Sequence, residues 1–294
     1  MSEETITFES AAIPEGDLFV LALRGTEALS APYSFTVAVQ GTGDITTLDE
    51  ETLTKLLREP ASLWLGAGGR RVWGIVKEVT LTATDASARP TYELVLAPRL
   101  FRLSQTTRTR FFLGKTVKQI IALVLEGAGL KDEHDYELRL GDEYAIREYT
   151  LQYAETDLAF LSRILEREGI FYFFEHGQEA EGEEGSYERL IVADDSTKLE
   201  PAGAERLAVP FKRSDSLGAR PAVLRMGCKR TLAPKEVVLT DYDWRTPDRE
   251  LEASEEVEGG TFGVFVAHTE HFGKTPNGQP RTGLSATRDV QGPR

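Results

Sequence analysis

Apolar and polar positions alternate through the first third of the chain. This period of two is typical of half-buried strands and occurs in residues 18–23 and Tyr33–Val39. Arg24–Glu27 between them carries turn-forming residues, and Leu48–Arg58 is predicted to be a short helix. Three more β-rich segments follow between Gly or Pro breaks: 61–65, 71–84 and 91–96. The pattern predicts an antiparallel barrel or sandwich over residues 1–105.

Helical periodicity replaces this pattern after residue 105. Thr116–Gln119 is a capping box that opens an apolar helix running through Leu125. A second helix is predicted to start at Glu155–Asp157, where hydroxyl and carboxylate groups favour a helix N-terminus, and to end at Gly169. We therefore expect an α/β domain over residues 106–205.

Strand signals return after the second helix. Ile170–Phe174 is an aromatic strand that can pair with Tyr187–Ala193 as a hairpin. Strand character appears again in Val223–Met226 and Glu236–Thr240. Residues 274–294 have no periodicity, and we interpret them as an irregular or truncated tail.

Composition and charge narrow the function classes. The chain has 34 Lys and Arg against 48 Asp and Glu, a net charge of −14, and 40% hydrophobic residues. This excess of acid argues against binding to nucleic acid or to an anionic membrane surface. The acidic N-terminus shows no secretory signal, and Cys228 has no second cysteine to pair with. We expect a soluble protein of the cytoplasm, with Cys228 as a buried thiol.

Phosphate-binding and metal motifs are weak. Gly-Lys-Thr occurs at 114–116 and 273–275, but neither copy has the glycine that a phosphate-binding loop needs five residues earlier. His268 and His271 flank Glu270, in a region where Thr261–Ala267 has a strand pattern. A spacing of three brings ligands to one face only in a helix, so no metal site is predicted.

Carboxylates near the second helix invite a glycosidase hypothesis, since such enzymes need two acids facing across a cleft. The candidates are Glu155, Asp157, Glu166 and Glu168. However, acids at a helix start are favoured electrostatically without any catalytic role. We therefore predict no catalytic residue, no cofactor and no metal ligand.

One charge feature points to assembly. Between Glu93 and Glu126 the chain has six basic residues and no acid: Arg99, Arg102, Arg108, Arg110, Lys115 and Lys118. Residues 175–205 instead carry ten acids and two bases. Opposite charges on one chain suit docking to a neighbouring subunit, whereas charges on an exposed barrel edge would block aggregation. Both interpretations stay open, and the six basic residues are the candidate assembly interface.

A longer stretch resembles a known family. Arg147–His176 contains a strand, an acidic helix cap, a helix, a glycine and an aromatic strand, in that order. It is similar to the signature stretch of VgrG spike proteins of bacterial type VI secretion, which resemble the baseplate hubs of contractile phage tails. Matches on both sides keep the family order: Gly25–Val37, Gly74–Val76, Tyr92–Pro98 and Asp241–Pro247. The resemblance covers about residues 6–273.

The resemblance implies a mainly β, α+β fold, in which antiparallel β-barrel hub domains flank an α/β domain. Residues 206–273 would form the incomplete start of the second barrel, together with an inserted segment. In the family, an oligonucleotide/oligosaccharide-binding-type domain and a β-needle follow the hub, and both would lie beyond residue 294.

The implied function is structural rather than enzymatic. A homotrimer with two similar barrels per subunit would seat a threefold spike on a hexameric tube protein, with baseplate components and effectors as further partners. The spike would assemble in the cytoplasm, leave through the secretion apparatus without a signal peptide, and meet a membrane only as its puncture target. The alternatives are the baseplate hub of a contractile prophage tail or related injection particle and, more remotely, a glycoside hydrolase.

Overall fold

The computed structural model describes residues 6–14, 16–42, 48–66, 70–82, 90–141, 144–177, 188–199, 211, 223–242, 247–248 and 251–268. The strands in these ranges are β1 (Ile6–Ser10), β2 (Leu18–Ala28), β3 (Ala31–Gly41), β4 (Pro60–Leu65), β5 (Arg71–Thr82), β6 (Thr91–Ala97), β7 (Thr107–Lys115), β8 (Tyr136–Arg139), β9 (Arg147–Thr156), β10 (Phe171–His176), β11 (Glu188–Ala193), β12 (Glu236–Asp241), β13 (Leu251–Glu256) and β14 (Val264–His268). The helices are α1 (Glu50–Leu56), α2 (Val117–Glu126) and α3 (Asp157–Arg167), with 3₁₀ helices at Arg99–Gln105 and Ser196–Lys198.

The first six strands form one antiparallel sheet, in the order β1-β4-β5-β6-β3-β2. Every second residue of β3, from Tyr33 to Val39, is buried, as expected for a strand with one face on the core. The sheet curls into a half-barrel around this core, and Leu56 of α1 is fully buried in it. A mainly β fold with an antiparallel first sheet is therefore confirmed, while closure into a complete barrel stays a prediction.

The predicted turn at Arg24–Glu27 is wrong. β2 continues through these residues, and the chain reverses at Leu29 and Ser30, where Ser30 has a φ of 57°. Gly25 lies opposite Phe35 of β3, and the Phe35 ring occupies the space that a side chain at Gly25 would need. The glycine thus serves close packing within a strand rather than a turn.

A second core lies in the helical unit, which we define as residues 99–199. The helices α2 and α3 bury their apolar faces in it, and the rings of Phe112 and Phe160 stack with their centroids 5.4 Å apart. The predicted capping box at Thr116 is present, and α3 is capped by Thr156. Gly169 adopts a φ of 68° just after α3, so the predicted end of this helix is confirmed.

Two smaller sheets complete the helical unit. β7 and β9 form an antiparallel ribbon, while β10 pairs antiparallel with β11 as the sequence predicts. β8 adds to β11 in parallel, and it was not predicted because its four residues are too few to show a period.

The last described strands form a sheet of their own, in the order β13-β12-β14. Its small core contains Leu239 and Ala253. Of the predicted strand Val223–Met226, Val223 makes a single bridge to Phe211, and the following residues are not in a strand. The predicted domain limits at residues 105, 205 and 273 stay predictions, and the tail 274–294 lies outside the described residues.

Gly25→Ala tests the contact between β2 and β3. The added methyl group overlaps the Phe35 ring, so we expect a loss of about 1–3 kcal/mol in the free energy of unfolding, measured by urea denaturation. Gly227→Ala is the matched control, since a methyl group there meets nothing within 4 Å. Equal losses in the two variants would contradict a packing role for Gly25.

Candidate assembly site

The six predicted interface residues do not share one environment. Arg99 is largely buried, whereas Arg102 in the same 3₁₀ helix is exposed. Lys115 is partly exposed at the end of β7, and Lys118 of α2 donates to the Leu140 carbonyl oxygen at 2.9 Å. The shared role of the six basic residues in assembly stays a prediction.

Arg108 and Arg110 both bind Asp157, the first residue of α3. Asp157 is 2% exposed and lies 3.1 Å from Arg108 Nε and 2.9 Å from Arg110 Nη2. Its Oδ1 also accepts a hydrogen bond from Gln152 Nε2 at 2.8 Å. A buried carboxylate needs such partners, and this one joins the β7–β9 ribbon to the start of α3.

Other carboxylates considered for catalysis also have structural partners. Glu155 binds Arg163 at 2.6 Å, and Glu168 binds the buried Arg147. Glu166 is exposed on α3. Glu155, Asp157 and Glu168 are therefore each held in an ion pair within the fold.

A buried polar cluster joins the half-barrel to the helical unit. We call it the junction network, and its members are Tyr33, Trp73, Arg99, Asp135, His176 and Glu188. The Tyr33 hydroxyl lies 2.5 Å from Glu188 Oε2 and also contacts the Trp73 carbonyl oxygen. Arg99 Nη2 donates to Asp135 Oδ1 at 2.7 Å, and the Arg99 main-chain N–H donates to Glu188 Oε1 at 3.0 Å. Burial raises the pKa of Glu188 to about 7.

Trp73 supplies a second set of bonds across the same junction. Its main-chain N–H donates to His176 Nδ1 at 3.2 Å, and its indole N–H donates to the Gly177 carbonyl oxygen at 2.8 Å. Because Nδ1 accepts a hydrogen bond, His176 is a neutral imidazole, and burial lowers its pKa to about 4. The hydrogen bond from Ser30 N–H to the Tyr172 carbonyl oxygen, 2.8 Å long, adds a further connection.

The outer face of the β7–β9 ribbon is apolar and exposed. Phe111, Leu113, Tyr149 and Tyr153 are between 49% and 71% exposed, whereas Phe112 on the inner face is buried. We call these four side chains the ribbon face. The sequence analysis did not predict this face. The apolar residues Phe111 and Leu113, two positions apart, were the available signal, because residues at this spacing lie on the same face of a strand. Aromatic and apolar side chains of this kind are enriched in protein–protein interfaces.

The remaining candidates do not form a site in the described part of the chain. Cys228 is exposed, so the expected buried thiol is wrong. His268 ends β14, while Glu270 and His271 lie outside the described residues. Among the described residues, no three His, Cys, Asp or Glu side chains are grouped to hold a metal ion. No helix in the same ranges is long and apolar enough to cross a membrane.

A comparison with protein families decides the identity of the fold. A family model described as phage tail baseplate hub (GPD) matches residues 26–288. The chain belongs to the phage tail baseplate hub family. Within this hub family, the chain is 35% identical to the type VI secretion system spike protein VgrG5 of Pseudomonas aeruginosa over 243 residues, 81% of this chain. It is 30% identical to the spike protein VgrG3 of Vibrio cholerae over 271 residues, 88% of this chain.

These relatives confirm the resemblance to VgrG proteins, but they are much longer. The hub chain spans 28% of the length of VgrG5 and 25% of that of VgrG3. Among solved structures, the E. coli type VI secretion component c3393 has a TM-score of 0.58 at 24% identity, over 66% of this chain and 51% of that one. A Neisseria meningitidis tail protein has a TM-score of 0.51 at 12% identity, over 90% and 71%. Both likenesses show the hub fold.

Asp157→Ala tests whether this carboxylate holds the ribbon of the hub to α3. Arg110 would lose its buried partner, so we expect the free energy of unfolding to fall by about 2–3 kcal/mol. Glu155→Ala is the matched control at the same helix start, and losing its exposed pair with Arg163 should cost less than about 1 kcal/mol. Urea denaturation measures both, and similar losses would show that Asp157 has no special structural role.

Proposed function

We propose that this chain is the hub portion of a type VI secretion spike. The observation that carries the proposal is its identity of 30–35% with spike proteins over about four-fifths of its length. A structural role in such a spike follows from that kinship rather than from any catalytic group. In the proposed assembly the hub caps a hexameric tube, contacts baseplate components and carries effectors.

A prophage baseplate hub is the second candidate, because tail proteins share the fold. The Neisseria meningitidis tail protein aligns with 90% of this chain, but at 12% identity. The spike proteins are far more similar to this chain in sequence, so we prefer the type VI secretion spike to the prophage baseplate hub. In either setting the hub assembles in the cytoplasm and is exported with the particle, and the target membrane is punctured rather than bound.

The mechanical role requires stiffness, and the junction network provides a reason for it. The hydrogen bonds of Tyr33, Trp73 and Glu188 across the junction favour a single arrangement of the two cores, because a shift would leave these donors and acceptors unpaired. A hub that transmits force between a tube and a spike benefits from such a fixed arrangement. We therefore propose that the outer surfaces of the hub make the contacts with tube and spike, and that the buried junction keeps the hub stiff.

We place a contact with a second copy of the chain at the ribbon face. Exposed Phe and Tyr side chains form the fully buried centres of many interfaces, and a homotrimer would cover them. Polar rim residues then set orientation, and the exposed Arg102 and partly exposed Lys115 remain candidates for that role. Arg108 and Arg110 are less suitable for mutation, because Asp157 depends on them.

The double variant Phe111→Ser and Leu113→Ser tests this contact. We expect the chain to form trimers as its concentration rises and the variant to stay monomeric, since the apolar centre of the interface is lost. Sedimentation velocity measures the distribution of species, and circular dichroism confirms that the variant is folded.

Leu81→Ser is the matched control, because Leu81 is 55% exposed on β5, away from the ribbon. It should assemble as the unchanged chain does. A folded double variant that still forms trimers would exclude the ribbon face as the contact. A monomeric unchanged chain at every concentration would exclude self-assembly by these residues.

A further inference from the structure

Glu188 is buried at the place where the half-barrel meets the helical unit. It is the first residue of β11, it is 4% exposed, and its neighbour across the ladder is His176 of β10. Its carboxyl group reaches Tyr33 of β3 and the main chain of Arg99. The same side chain therefore touches both units of the hub.

Counting hydrogens identifies the protonation state of this group. The Tyr33 hydroxyl has one hydrogen, yet it contacts two oxygen atoms that act as acceptors, the Trp73 carbonyl and Glu188 Oε2. Both contacts can be hydrogen bonds only if one more proton is present. A proton on Glu188 Oε2 satisfies them, because Glu188 then donates to Tyr33 and Tyr33 donates to Trp73.

Counting charges leads to the same state. The Arg99 guanidinium binds the Asp135 carboxylate at 2.7 Å but reaches only the main-chain carbonyl oxygen of Glu188, at 3.2 Å. The Glu188 carboxyl instead accepts the main-chain N–H of Arg99. Within the described part of the chain, Arg99 is the guanidinium beside this cluster and it pairs with Asp135, so an ionised Glu188 would have no side-chain cation in direct contact there.

We propose that Glu188 is a neutral carboxylic acid in the folded hub. Its proton completes the hydrogen bonds that join the half-barrel to the helical unit, and this junction loosens as the pH rises through neutrality. This property goes beyond the proposed spike function and does not rest on it. Ionisation would place a carboxylate against Tyr33, and the Tyr33 hydroxyl could then donate to only one of its two partners. The bond to the Trp73 carbonyl would be lost or weakened.

The other titratable groups around Glu188 do not supply this behaviour. His176 accepts from Trp73 N–H and is neutral, with a pKa lowered by burial to about 4. Asp135 is held by Arg99, by the Lys131 main-chain N–H and by His134, and these bonds lower its pKa despite its burial. Glu27 and Arg70 form an exposed pair farther out on the half-barrel.

The direction of the pH effect follows from the raised pKa of Glu188. Its ordinary value is 4.5, and burial raises the pKa to about 7 in the folded hub. The folded state therefore binds the proton more tightly than the unfolded state. The stabilisation is complete below about pH 4.5, falls as the pH rises and is lost above about pH 7. Across this window the unfolding equilibrium constant should increase on the order of a hundredfold through Glu188 alone.

Glu188→Gln separates this effect from all others, because a glutamine amide can donate to Tyr33 and accept from Arg99 at every pH. We expect urea denaturation between pH 5 and pH 8 to show a falling midpoint for the unchanged chain and a much flatter profile for the variant. Glu137→Gln is the matched control, since Glu137 is a partly exposed carboxylate with a lowered pKa on β8. Its profile should fall like that of the unchanged chain.

A direct measurement covers the case in which Glu188→Gln does not fold. Difference infrared spectroscopy of the unchanged chain should show the band of a protonated carboxyl group at pH 5, and this band should disappear near pH 7. The folded variant Tyr33→Phe assigns the band to Glu188, because loss of the Tyr33 hydroxyl should shift its frequency. The protection of the Trp73 amide against hydrogen exchange, taken relative to its intrinsic exchange rate at each pH, should fall over the same range. A parallel fall in midpoint for Glu188→Gln and the unchanged chain, or a Glu188 carboxyl ionised at pH 5, would overturn the proposal.

Discussion

The hydrogen bonds between Tyr33, Glu188 and Arg99 are the constraint on which the arrangement of this hub depends. The half-barrel and the helical unit each have a core of their own, and Phe174 packs against both. Apolar contact alone would allow the two cores to slide, since it has no direction. Buried donors and acceptors do not allow the cores to slide, because each of these groups must keep its hydrogen-bond partner. The polar junction therefore sets the angle at which the two units meet.

The same principle organises the start of α3. Asp157 combines a favourable position at a helix N-terminus with two arginines from the neighbouring ribbon. In the sequence, Arg108, Arg110 and Asp157 are candidates for docking or catalysis. In the fold, they form ion pairs with one another that hold the ribbon to α3. This leaves the outside of the ribbon to apolar and aromatic side chains, which suit a permanent contact better than a transient one.

The chain belongs to the baseplate hub family. It is related to spike proteins over about four-fifths of its own length and spans about a quarter of theirs. Fold likeness at 12% identity to a tail protein indicates that the architecture tolerates wide changes in sequence.

The sequence by itself determined the long strands of the first sheet, the capped helices and the family, because these depend on local periodicity and on an ordered run of residues. It misplaced the first turn, since Gly25 reads as a turn residue until Phe35 is known to cover it. It grouped Arg99, Arg108 and Arg110 in one candidate interface, which stays a prediction, but it gave no sign that these residues pair with two buried carboxylates, Asp135 and Asp157. Glu188 gave no signal at all, because its raised pKa arises only when burial brings it against Tyr33 from 155 residues away. Pairings between distant residues carry no local pattern, and for that reason only the folded chain decides them.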